Sequence, residues 1–89
     1  MLDEIKQLKP YALMTLNERA TWNHRAAQLM EKIGGGFASA LALAYFRADG
    51  TNQARILGAF ADLFEVYRNR AFEQLENEER ARQALAAQE

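Results

Sequence analysis

Trp22, Asn23, His24 and Arg25 stand side by side in a chain of 89 residues. An aromatic ring, an amide, an imidazole and a guanidinium within one helical turn are the side chains that anchor protein interfaces or stack on bases. A plainer reading gives Trp22 to a core, because Ala26, Leu29 and Ile33 follow it at helical spacings of four, three and four. His24 is the only histidine, which excludes two-histidine zinc motifs and leaves any general base there dependent on carboxylates distant in sequence. The ordinary role of such a residue is a solvated histidine at a rim. Cysteine is absent, which removes disulfides, thiolate metal ligands and cysteine nucleophiles. Gly34-Gly35-Gly36 could offer backbone amides to a phosphate at the start of the helix that follows. The Lys-Ser/Thr pair of a phosphate-binding loop does not accompany the glycines, so a turn is the stronger reading. Tyr11, Trp22, Tyr45 and Tyr67 could share a pocket with Arg25, Arg55 or Arg68, although aromatics at helical spacing usually pack a core. No catalytic set, metal set or cofactor motif emerges, and the expectation is a protein that is not an enzyme and acts by binding.

Composition fixes the kind of scaffold that must carry these residues. Ala occurs 17 times and Leu 11 times, against 4 for Ile and Val together. This is a helical alphabet, since Ala loses no side-chain entropy in a helix and β-branched residues suit sheets. The expected fold is all-α, a small bundle of three to four helices. A chain this short leaves much of its surface exposed as a monomer and gains from self-association, so a homo-oligomer is expected. The net charge of −1 argues against a nucleic-acid or membrane-surface partner held mainly by charge. With no charged segment leading into an apolar one at the N-terminus, the expected location is the cytoplasm.

Three breaks, at Pro10, Gly34-Gly35-Gly36 and Asp49-Gly50-Thr51-Asn52, divide the chain into four segments. Leu2, Ile5 and Leu8 mark a short first helix. A second begins between Tyr11 and Thr15 and runs to Ile33, with Thr15 and Glu18 spaced as a capping box. From Phe37 to Phe46 only Ser39 interrupts an apolar run, which predicts a helix buried on all sides, either as the central helix of the domain or as the core of an oligomer. Ten residues are too few to cross a bilayer, which takes about 20. Gly36, Ala40, Ala44 and Ala48 form a small-residue stripe for close packing. The last helix, capped by Thr51 or Asn52, carries Ile56, Leu57, Phe60, Leu63, Phe64 and Tyr67 on one side. Its small stripe, Ala54, Gly58 and Ala61, is expected to pack on the stripe of the preceding helix. Phe37, Ala40, Leu41, Ala44, Tyr45, Phe60 and Phe64 are therefore the expected core or oligomer contacts. Asp62 and Glu65 in the polar face oppose a helix–turn–helix reading of residues 37–70. Residues 1–75 make the domain, and residues 76–89 an acidic tail, helical or disordered, with Leu85 as its one large apolar residue.

The segment Ile33-Gly34-Gly35-Gly36-Phe37 through Ala48-Asp49, then Asn52-Gln53-Ala54-Arg55 and Ala59-Phe60-Ala61-Asp62-Leu63-Phe64-Glu65-Val66-Tyr67, resembles a group of short accessory proteins of tailed bacteriophages and prophages. The resemblance covers about residues 22–68. It implies a protein that binds and inhibits a bacterial host or defence component, such as a CRISPR–Cas or nucleotide-signalling system. Proline often stands in that group at the position of Ala61, which implies a bend near Phe60 that would split the last helix. The expected partner-binding residues are Arg19, Trp22, His24 and Arg25. Two alternatives stand beside this reading. One is a cyclic-nucleotide or other small-ligand sponge, with Trp22 or Tyr11 stacking and Arg25 or Arg55 meeting phosphate. The other is a virion or packaging component.

Overall fold

The computed structural model describes residues 10–88; the expected helix at Leu2 to Leu8 lies outside them. Pro10 opens a single 3-10 turn over Tyr11–Leu13. The first helix, α1, spans Leu16–Ile33 and starts at the expected capping box. The Glu18 amide donates to Thr15 Oγ1 at 3.2 Å and the Thr15 amide to Glu18 Oε1 at 2.9 Å, so two amides that the first turn leaves unpaired are satisfied.

Gly34 alone separates α1 from α2, Gly35–Arg47. The chain reverses in so little length because Gly35 takes φ +74° and Gly34 carries no Cβ. A methyl at Gly34 would run into the Met30 carbonyl oxygen and the Ala38 side chain. Asp49, rather than Thr51 or Asn52, caps α3, Gly50–Ala59, by accepting from the Asn52 amide at 2.9 Å. Asp49 is extended, as a cap must be, whereas Thr51 and Asn52 already lie in the helix. Phe60, at φ −121° and ψ 37°, leaves helical geometry and divides the expected last helix into α3 and α4, Ala61–Ala87.

Among the described residues there are four α-helices and no strand, the expected all-α bundle. No helix among them is long and apolar enough to cross a membrane. The central element is α1, which packs along α2 on one side and α4 on the other. Ala26 and Ala27 of α1 meet Ala38 and Ala42 of α2, with Met30, Tyr45, Phe64 and Tyr67 filling the space around them. A second cluster joins Trp22 of α1 to Ala71 and Leu75 of α4, with Met14, Leu29 and Phe72 half-buried at its edge.

Within one copy of the chain the Phe37 to Phe46 segment is enclosed on one side only, so it is not a central helix covered all round by its own domain. Ala38, Ala42 and Tyr45 are buried and Leu41 is half-buried, but Phe37 is 64% exposed and Ala40 and Ala44 are exposed. Among the described residues no helix covers the outward face of α2, although Phe37 at its edge meets the Phe60 ring edge-on at 5.7 Å. The small stripes do not pack on each other either, since Ala40, Ala44, Ala54, Gly58 and Ala61 are all exposed. Instead α3 turns Ile56, Leu57 and Phe60 to the core. Those side chains remove more apolar surface from water than an alanine stripe would, which decides the orientation. The α4 helix continues well past residue 75: Glu79 is buried and accepts from Arg82 at 3.0 Å, whereas residues 80–88 are exposed.

Candidate binding site

Asn23 and Arg68 meet across 45 residues of sequence and fasten α1 to α4. Asn23 is 2% exposed and both ends of its amide are used. Its Nδ2 donates to Tyr11 Oη at 2.9 Å, and its Oδ1 accepts from Arg68 Nη1 at 2.8 Å. The Arg68 guanidinium lies 3.9 Å from the centre of the Tyr11 ring, a cation–π contact in addition to the hydrogen bond. Burial lowers the Arg68 pKa, opposed by Tyr11 and Glu65. Arg19 holds the same turn from the other side, donating through Nε to the Tyr11 carbonyl at 3.2 Å and through Nη2 to the Ala12 carbonyl at 2.9 Å. The result is a cavity of about 350 Å³ walled by Tyr11, Met14, Trp22, Arg68 and Phe72.

On the opposite flank of Trp22 the ring carries the Arg25 guanidinium, 4.8 Å from its centre. Arg25 heads a groove of about 600 Å³ between α1 and α4, with Leu29 and Leu75 among its apolar lining and Lys32, Gln74 and Glu78 among its polar lining. Among the described residues no hydrogen bond or ion pair engages Arg25, so the stacked guanidinium keeps its donors available. Leu29, Ala71 and Leu75 give this otherwise polar groove an apolar strip beside Arg25 and Lys32, a lining that suits an amphipathic segment.

The four expected binding residues therefore do not share one surface. Trp22 is 7% exposed, a core residue that supports Arg25 rather than an anchor reaching a partner itself. Arg25 lines the groove, Arg19 is turned to the 3-10 turn, and His24 is exposed edge-on to Phe46 of α2 at 5.2 Å. Tyr45 and Tyr67 belong to the main core and do not line the cavity with Tyr11 and Trp22. The Asn23 clamp was missed because an amide in a helix reads as surface. One signal could have found it: Arg68 follows Phe64 and precedes Phe72 by four, a cation set inside an apolar stripe.

No group of three or more His, Asp or Glu among the described residues is placed to hold a metal ion. No family model, curated protein or solved structure matches the chain.

Proposed function

We propose that this protein works by binding another protein, as a phage accessory factor of the anti-defence kind, and that the groove between α1 and α4 receives the partner. The occupant is an amphipathic helical segment that lays apolar side chains on Leu29 and Leu75 and sets a carboxylate on Arg25. The observation that carries the reading is Arg25 itself, its guanidinium 4.8 Å from the centre of the Trp22 ring at an open groove, with no hydrogen bond or ion pair among the described residues. Stacking restricts the guanidinium before binding, so less rotamer entropy is lost when it meets a carboxylate.

The test is a host strain carrying a defined immune system, challenged with a phage which that system restricts. The wild-type protein should restore plating and co-purify with a component of the system. Arg25→Ala should lose both effects, while Arg55→Ala, an exposed change on α3, should lose neither. No restoration across a panel of defence systems would sink the reading, as would full activity of the Arg25→Ala variant.

The cavity beside Tyr11 and Trp22 supports a second reading, a small-ligand sponge in which an aromatic ring stacks on those side chains. It ranks below the first because the only arginine lining that cavity is already engaged by Asn23 and Tyr11. A phosphate there would have to displace an existing hydrogen bond. Calorimetry with cyclic nucleotides separates the two readings: heat of binding that Tyr11→Ala abolishes favours the sponge.

A further inference from the structure

The cavity beside the 3-10 turn has one charged side chain among its described lining residues, Arg68. Its guanidinium is half-buried. Burial is the leading cause of its lowered pKa, which Tyr11 and Glu65 offset only in part. Among the described residues no carboxylate forms an ion pair with it. A charge withdrawn from water is normally paired, because the hydration it loses is large. Asn23 accepts from Nη1 and the Tyr11 ring covers one face, but Nε and Nη2 meet no acceptor among the described residues. Those two nitrogens share one edge of the guanidinium, and that edge matches the two coplanar oxygens of a carboxylate.

We infer that this cavity binds a small aromatic carboxylate, with its ring against Trp22 and Phe72 and its carboxylate on the free edge of Arg68. The Trp22 and Phe72 rings stand 6.3 Å apart between centres, with 66° between their planes. A flat ring can therefore lie on one wall and meet the other edge-on, the two arrangements that aromatic quadrupoles favour. Met14 adds a polarisable sulfur to the same wall.

Size and charge narrow the class. The volume of about 350 Å³ lies near the floor of the range of about 300–1,000 Å³ for small-ligand sites, which suits an acid with a single ring. The tetrahedral oxygens of a nucleotide phosphate would reach past the free edge to the Nη1 that Asn23 holds, so this ligand differs from a cyclic nucleotide in the same cavity. Arg19, 5.1 Å from the centre of the Tyr11 ring, places a second positive charge beside the turn. The opposing charge is Glu65, exposed one turn before Arg68 on α4.

Trp22 is the only tryptophan and lines the cavity, so its fluorescence reads occupancy directly. The full chain is titrated with 3-phenylpropionate, and with 3-phenylpropanol and 3-phenylpropylamine, which carry the same ring on a neutral and a positive head. The acid should change Trp22 emission with a dissociation constant on the order of 0.1–1 mM, ordinary for so few atoms. The alcohol should bind at least ~10-fold more weakly, having lost a hydrogen bond to a charged group. The amine should not bind, and propionate, which lacks the ring, should leave the emission unchanged.

Arg68→Lys keeps the charge but removes the planar edge, and should bring the acid to the level of the alcohol. If the loss of the Asn23 contact unfolds that variant, Asn69→Asp decides. Asn69 is exposed on the cavity wall, so the helical circular dichroism signal should persist. The added carboxylate repels the ligand and competes for Arg68, which should weaken the acid at least ~10-fold and the alcohol less. Arg25 does not line this cavity, so these outcomes are separate from the partner-binding test. No emission change with the acid up to about 10 mM would overturn the inference. So would equal affinity for acid and alcohol, or undiminished binding of the acid by Asn69→Asp.

Discussion

Asn23 does more for this fold than its neighbours in the Trp22 to Arg25 segment. Replacing it with Ala leaves Arg68 without its amide acceptor and Tyr11 without its donor, both half-buried. Hydrogen bonds to charged groups contribute about 1.5–3 kcal/mol, so Asn23→Ala should lower unfolding free energy by about 2–3 kcal/mol in urea titration. His24→Ala, exposed at the adjacent position, should cost under about 1 kcal/mol, because little beyond its edge contact with Phe46 is lost.

Tyr45 supplies a residue-level prediction about pH. Burial, and secondarily Tyr11, raise its phenol above the ordinary 10.0. The unfolded chain then releases that proton first as pH rises, so it binds fewer protons than the native state and stability falls. The contribution is complete below pH 10.0 and is lost through the raised native value. Wild-type stability should drop more steeply than that of Tyr45→Phe above about pH 10, as measured by denaturant midpoints. Parallel curves for the two proteins would contradict it. Sequence order exposed the residue types of this region but not their roles: helical phase permits Asn23 and Trp22 to face inward together, and only the position of α4 decides that they do.

At the scale of elements, Thr15-x-x-Glu18 made the start of α1 legible, because a capping box acts within four residues and depends on little else. The three glycines likewise marked its end. The apolar run of α2 misled, since hydrophobicity on every side states what a helix would lose in water and not which neighbours exist to cover it. Phe60 was not readable from periodicity, as Ile56, Phe60 and Phe64 keep the same four-residue spacing through the break; the bend was implied only by resemblance.

The joint between α1 and α2 gives the element-level test. Gly34→Ala forces a methyl against the Met30 carbonyl and the Ala38 side chain and should cost about 1–3 kcal/mol. Gly58→Ala, in open space within α3, should instead stabilise by about 0.5–1 kcal/mol. Thermal melts of the two variants should therefore shift in opposite directions.

The whole molecule is long for its mass, with a radius of gyration of 14.6 Å against about 12 Å expected for a compact domain of this length. The 27 residues of α4 reach about 40 Å while the 18 of α1 reach about 27 Å, so the charged end of α4 extends past the core. The one-residue joint at Gly34 also orders events in time. Docking α2 on α1 closes almost no loop, whereas docking α4 on α1 must bring together Asn23 and Arg68, separated by 45 residues. Local contacts form faster because less chain entropy is lost before they are gained. The α1–α2 hairpin should thus be structured in the folding transition state, with α4 joining late. In stopped-flow measurements Ala42→Gly, at the hairpin interface, should chiefly slow folding, and Leu75→Ala, on α4, should chiefly speed unfolding. A truncated or unfinished copy that lacks α4 would then already bury the alanine face between α1 and α2, which leaves the Trp22 cluster as the last surface to leave water.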